Sequence, residues 1–188
     1  MKSFLLQIKE SLQVPFRLSL LMFLLLLVQL SFSIDLGFLG VKPWSIPHLV
    51  GLITAPLVHG SLVHLLANVV PFMVLATSLY FFYDKIANQV LFYAYFLPYA
   101  IVWFVGRPYF HIGSSGTVYA LAFFMISLGI FRGTIKSLLI SGITIFLYGS
   151  LIYGVVPTER KISWETHLAG AAVGIVTAFY MSRKKNLG

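Results

Sequence analysis

A serine hydroxyl, two imidazoles and a carboxamide stand out in this chain, because the sequence around them is almost entirely Leu, Phe, Val, Ile and Tyr. Ser115 lies in the run Gly113-Ser114-Ser115-Gly116, His64 and Asn68 are four residues apart, and His167 opens another oily stretch. Such groups are costly against hydrocarbon unless they pair or line a wet cavity. An alcohol beside an imidazole is the chemistry of nucleophilic acyl transfer. A buried amide and a second imidazole are donors suited to a developing oxyanion.

Each group also has a plainer reading. Gly-Ser-Ser-Gly is by itself a flexible turn, with a serine capping the helix that follows. Glycines on both sides also let the backbone turn tightly and let another segment approach Ser115. The unpaired N–H groups of a helix start then point at whatever docks there. His167, Gly170 and Gly174 fall on one helical face. Gly170 and Gly174 form a small-residue face that admits a close second helix, and Gly116 with Ala120 is the matching pair. That contact would bring His167 to Ser115. Tyr119, four residues after Ser115, is either a core aromatic or a buttress for the imidazole. His64 and Asn68 share a helix face and could equally be an interhelical hydrogen-bond pair. His59, read on the same helix, points about 140° away and is expected to anchor a loop. His48 and His111 are expected to be solvated loop residues.

The acidic groups Glu10, Asp35, Asp84, Glu159 and Glu165 all sit at the edges of oily segments. This argues against an aspartyl dyad and a carboxylate proton relay, and for a Ser-His pair without a third acid. There is no His-Glu-x-x-His, and a site built from His59, His64 and His167 lacks a supporting carboxylate, so neither a metal nor another cofactor is expected. The chain has no cysteine, which excludes disulfides and thiolate chemistry.

The elements that must hold these groups are membrane helices. The 188 residues are 59% hydrophobic and 10% charged, against about a quarter charged in a soluble domain. With about 20 apolar residues per span, six spans are expected near 15–34, 58–82, 88–105, 115–131, 136–155 and 166–182. Residues 1–188 read as a single all-α membrane domain, a six-helix bundle. Lys2, Lys9, Arg17, Lys85, Arg132, Lys136, Arg183, Lys184 and Lys185 then share one side, and Lys42, Arg107, Arg160 and Lys161 the other. That bias expects both termini in the cytoplasm, in a bacterial inner membrane. It also explains the net charge of +8 without a nucleic-acid partner. Leu18 to Phe32 could pass for a signal peptide; a retained first helix is preferred. With this count, spans two, four and six all begin on the outside, so His64, Ser115 and His167 share one layer.

The ordered set His59-x4-His64-x3-Asn68, Gly113-Ser114-Ser115-Gly116-Thr117-Val118-Tyr119-Ala120 and His167-Leu168-Ala169-Gly170-x3-Gly174 resembles the rhomboid family of intramembrane serine proteases, over about residues 15–183. The resemblance implies a six-helix core, Ser115 as nucleophile and His167 as general base. It implies an oxyanion hole from the Ser115 N–H with His64 and Asn68, and Tyr119 stacked on the histidine. Single-span membrane proteins are the implied substrates, cleaved near the outer face. Two departures are visible. Val50 and Gly51 stand where many members carry Trp-Arg before Thr54, and Tyr80 and Phe82 stand near a glutamate common late in the second span. The rival readings are a catalytically inactive relative that binds client helices, a lipid hydrolase, and a small transporter. The transporter would favour polar residues at the midplane and an internal repeat, and neither is present.

Overall fold

The computed structural model describes residues 3–157 and 163–184. Lys2, Glu159, Arg160, Lys161 and Lys185, which entered the charge count, lie outside the described residues. Six long helices carry the fold: α1 Phe4–Phe32, α2 Leu62–Phe82, α3 Asp84–Val105, α4 Ser115–Arg132, α5 Ile135–Tyr148 and α6 Trp164–Ser182. The chain is an all-α membrane bundle. Its one β pairing among the described residues is an isolated bridge between Val41 and His111.

Local chemistry sets the ends. Side-chain oxygens of Ser3, Ser61, Thr134 and Ser163 each accept an N–H in the first turn of α1, α2, α5 and α6. Gly133, at φ 64°, closes α4. The first helix begins at Phe4, well before the expected position 15. The Gln7 amide donates to the Phe81 carbonyl at 3.1 Å and Phe4 packs edge-on against Phe81, so the end of α2 supports the extra turns. At 29 residues α1 is about 44 Å long, more than a hydrocarbon core. The second helix starts at Leu62 rather than 58, so His59 precedes it in a loop. The fifth stays α-helical only to Tyr148 and continues as 3-10 turns over Gly149–Val155, where two glycines lower helix propensity.

Among the described residues, five elements are long and apolar enough to cross a bilayer: α1 to α4, and α5 with its 3-10 extension. The sixth helix is not in that set. It carries Glu165, Thr166 and His167 at its start and small residues after them, which lower its hydropathy; one face is buried against the bundle while Val176, Phe179 and Tyr180 stay exposed.

The centre of the bundle is α4. In its apolar window 67% of residues are buried, against 17% for Ile135–Val155, so α4 is wrapped and α5 is peripheral. The most extensive helix contact joins α4 to α6. Its cause is the pairing of small residues: a Cβ on Gly170 would collide with the Gly116 carbonyl oxygen, and one on Gly174 with that of Ala120. Toward the other end, Gly129 lets Ser141 of α5 close on α4. By contrast α2 and α5 flank a cavity of about 490 Å³ floored by Met125 and walled by Leu75, Phe82, Ile140 and Leu147.

Candidate active site

At the end of the bundle where α2, α4 and α6 begin, a cavity of about 830 Å³ is lined by His64, Asn68, Ser115, Tyr119 and His167 together. Each reaches it from a helix start. Ser115 is the first residue of α4, half-buried, and the first inward-bonded donor of that helix is Val118 N–H on Ser114 O at 3.0 Å. The Ser115 amide therefore belongs to the unpaired N-terminal set. Ser114 stands at the cap position, but its side chain does not cap the helix.

His167 is oriented on three sides. Its Nδ1 lies 3.0 Å from the Gly154 carbonyl oxygen, which can only accept, so Nδ1 carries the proton and Nε2 is left as the acceptor of the neutral ring. Tyr119 stacks on the imidazole, with centroids 4.2 Å apart and planes 4° from parallel. The contact of Gly170 with the Gly116 backbone fixes the helix beneath it. Ser115 and His167 line the same cavity, and no hydrogen bond joins them among the described residues. Catalytic hydrogen bonds are often long before a substrate binds.

On the opposite wall, Asn68 is buried and its amide donates to the His64 carbonyl at 2.9 Å, leaving its second N–H for the cavity. The His64 ring nitrogens have no protein partner among the described residues. Gly113 makes room for that ring. It sits at φ 96°, and a Cβ there would lie 2.6 Å from His64 Nε2.

The loop before Ser115 is pinned at each step. Gly113 N–H donates to Ala55 O at 2.9 Å, and the Tyr99 hydroxyl donates to Gly113 O at 2.6 Å. Ser114 N–H donates to His59 Nε2 at 3.3 Å. His59 is thus a loop anchor, as expected, but it does not point away: its ring meets His64 edge-on at 5.0 Å, because it precedes the helix rather than lying on it. Burial, and then the neighbouring His64, push the His59 imidazole down to about 4, which keeps Nε2 free to accept.

The expectation that His48 and His111 are solvated is corrected. His48 is half-buried, bonded to Ser45 Oγ at 2.7 Å and packed edge-on against Phe110. His111 is 3% exposed, lies 2.5 Å from Ser163 Oγ through Nδ1 and donates from Nε2 to Arg107 O at 3.0 Å. Its backbone pairs with Val41. Burial lowers its proton affinity, with the Arg107 carbonyl and Glu165 acting the other way. Glu165 is likewise more than an edge acid: it is buried against the Arg107 guanidinium, with Nη2 to Oε2 at 3.1 Å and the Arg107 N–H to Oε1 at 3.3 Å. Gly154 also escaped the sequence reading. A side chain there would overlap the Tyr119 hydroxyl. The available signal was a lone glycine in an apolar run, which marks a close approach.

The model of the Rhomboid domain matches residues 44–184. The chain belongs to the rhomboid family. It is also similar to uncharacterized proteins of mycobacteria. One from Mycobacterium tuberculosis strain H37Rv is 31% identical over 160 residues, covering 76% of this chain and 63% of the relative. One from Mycobacterium leprae is 29% identical over 154 residues, covering 76% and 60%. The chain thus spans less than two thirds of the length of these relatives. Rhomboid membership agrees with the multi-pass helical bundle and accounts for the order of the three motifs along it.

Proposed function

We propose that this rhomboid protein is an intramembrane serine endopeptidase. The observation that carries this reading is the state of His167: Nδ1 is engaged by Gly154 O, Tyr119 holds the ring plane, and Nε2 remains as a base in the cavity that Ser115 lines. In the proposed reaction the Ser115 proton passes to Nε2 as Oγ attacks the peptide carbonyl carbon. The tetrahedral oxyanion is met by the Ser115 N–H and the side chains of His64 and Asn68, each donor contributing roughly 3 kcal/mol. The proton then moves to the leaving amine and an acyl-enzyme forms. Water, losing its proton to His167, releases the acid and restores Ser115.

The substrate class follows from the setting. A helix hides its peptide bonds in i→i−4 hydrogen bonds and must unwind locally to be cut. Single-span membrane proteins with small or helix-breaking residues near the membrane face fit that demand. The basic residues Lys9, Arg17, Lys85, Arg132, Lys136, Arg183 and Lys184 support cytoplasmic termini in a bacterial inner membrane, with the cavity opening outward.

A second reading, an inactive relative that binds client helices, has one observation in its favour: Ser115 and His167 are not hydrogen-bonded. Labelling of the detergent-solubilised protein by a fluorophosphonate separates the two. Labelling that is lost in Ser115→Ala supports the protease; an unlabelled native protein that still captures a tethered helix supports the binder.

A further inference from the structure

The loop that ends at Ser115 also grips the helix that carries His167. Arg107 and His111 both belong to the segment 106–114, between α3 and α4. Arg107 reaches across to Glu165 with its guanidinium and its backbone N–H. His111 accepts the hydroxyl proton of Ser163, the cap of α6, at 2.5 Å. The Ser163 hydroxyl is itself occupied by Thr166, through the Thr166 N–H and hydroxyl. That saturation argues against Ser163 as a second nucleophile. It serves instead to seat the first turn of α6, from which His167 projects. The segment is braced from behind as well, by Val41 on His111, Ala55 and Tyr99 on Gly113, and His59 on Ser114.

We propose that segment 106–114 is a bracket that sets the spacing between Ser115 and His167, with Arg107, His111, Glu165 and Ser163 as positioning residues. A bidentate Arg–carboxylate pair is directional and short, and here its carboxylate is buried while the Arg107 side chain stays one-third exposed, so it holds a helix in register as well as in place. Misplacement of a reacting group by about 1 Å costs on the order of a hundredfold in rate. The inference rests on the protease reading for its kinetic consequence, but the bracket itself does not.

Two measurements test it on the whole chain. The first is the fluorophosphonate labelling rate, with kcat and KM for a helical substrate, in Glu165→Gln, Arg107→Ala, their double variant and the conservative Arg107→Lys. Expected is a ten- to hundredfold loss in labelling rate and kcat with KM within about twofold, a double variant no worse than the worse single one, and partial recovery in Arg107→Lys. The second uses the absence of cysteine: Val105→Cys with Leu168→Cys, both exposed, forms a unique spin-label pair across the bracket. Its distance distribution should be narrow in the parent and broad or shifted in Glu165→Gln and in Arg107→Lys, the milder variant kept in case the first does not fold. If native labelling does not depend on Ser115, the protease reading falls while the distance measurement still judges the bracket. If labelling is Ser115-dependent and neither the rate nor the distance distribution changes in the folded variants, the bracket is overturned. Additive losses in the double variant overturn it too.

Discussion

On the α6 side of the cavity, His167 is held by a carbonyl, a stacked ring and a helix contact through glycine. On the α2 side, the His64 ring touches His59 edge-on and spends neither nitrogen on the described residues, and Asn68 keeps one amide hydrogen in reserve. The difference matches what each side must do. A base has to keep one named nitrogen aimed at one hydroxyl before any substrate arrives. Donors to an oxyanion accept a broader range of approach directions and need their hydrogens unspent. The same contrast runs down the bundle, where α6 is pressed onto α4 while α2 and α5 stand on either side of an apolar cavity.

The comparison can be broken most severely at the reacting pair. Ser115→Ala or His167→Ala should lower cleavage of a reconstituted helical substrate at least about a thousandfold, while circular dichroism stays native. Near-native turnover in either would remove the base side altogether. Next comes the helix contact. Gly170→Val should cost more than about a hundredfold in kcat and about 1–3 kcal/mol in stability, because the added methyls strike the Gly116 backbone. An active, equally stable valine variant would show that the approach of α6 is not required. On the looser wall, His64→Ala and Asn68→Ala should each lower kcat about a hundredfold with little change in melting temperature, since neither ring nitrogen nor spare amide supports the fold. Loss of folding instead would make them structural. The smallest effects belong to α5 beside the lower cavity: Leu139→Ala and Ile143→Ala, at 63% and 61% exposed, should change stability by less than about 0.5 kcal/mol in thermal unfolding.

The sequence was most readable where a period or a spacing encodes structure. Gly170 and Gly174 facing Gly116 and Ala120 announced the α4–α6 contact, because small residues at i and i+4 leave a groove on a helix. Counting spans brought Ser115, His167, His64 and Asn68 to one end, and they line one cavity. What stayed illegible has no period. The Gly154 carbonyl that engages His167, the Arg107–Glu165 pair and the His111–Ser163 bond tie segments outside the α-helices to the start of α6, and their meeting depends on the whole bundle. His111 looked like a surface residue because nothing in its neighbours reveals Val41 and Ser163. The early start of α1 was not legible because Lys9 and Glu10 interrupt the apolar run, and the support for the extra turns comes from Phe81 at the far end of α2.

Gly113 combines two demands at one atom: a backbone torsion on the positive side and a ring edge where a methyl would go. No residue of ordinary chirality meets both. Randomising that codon and selecting for turnover should therefore return glycine alone. A semisynthetic chain with D-alanine there would satisfy the torsion and send its methyl elsewhere, which tells whether His64 or the turn is the stricter judge.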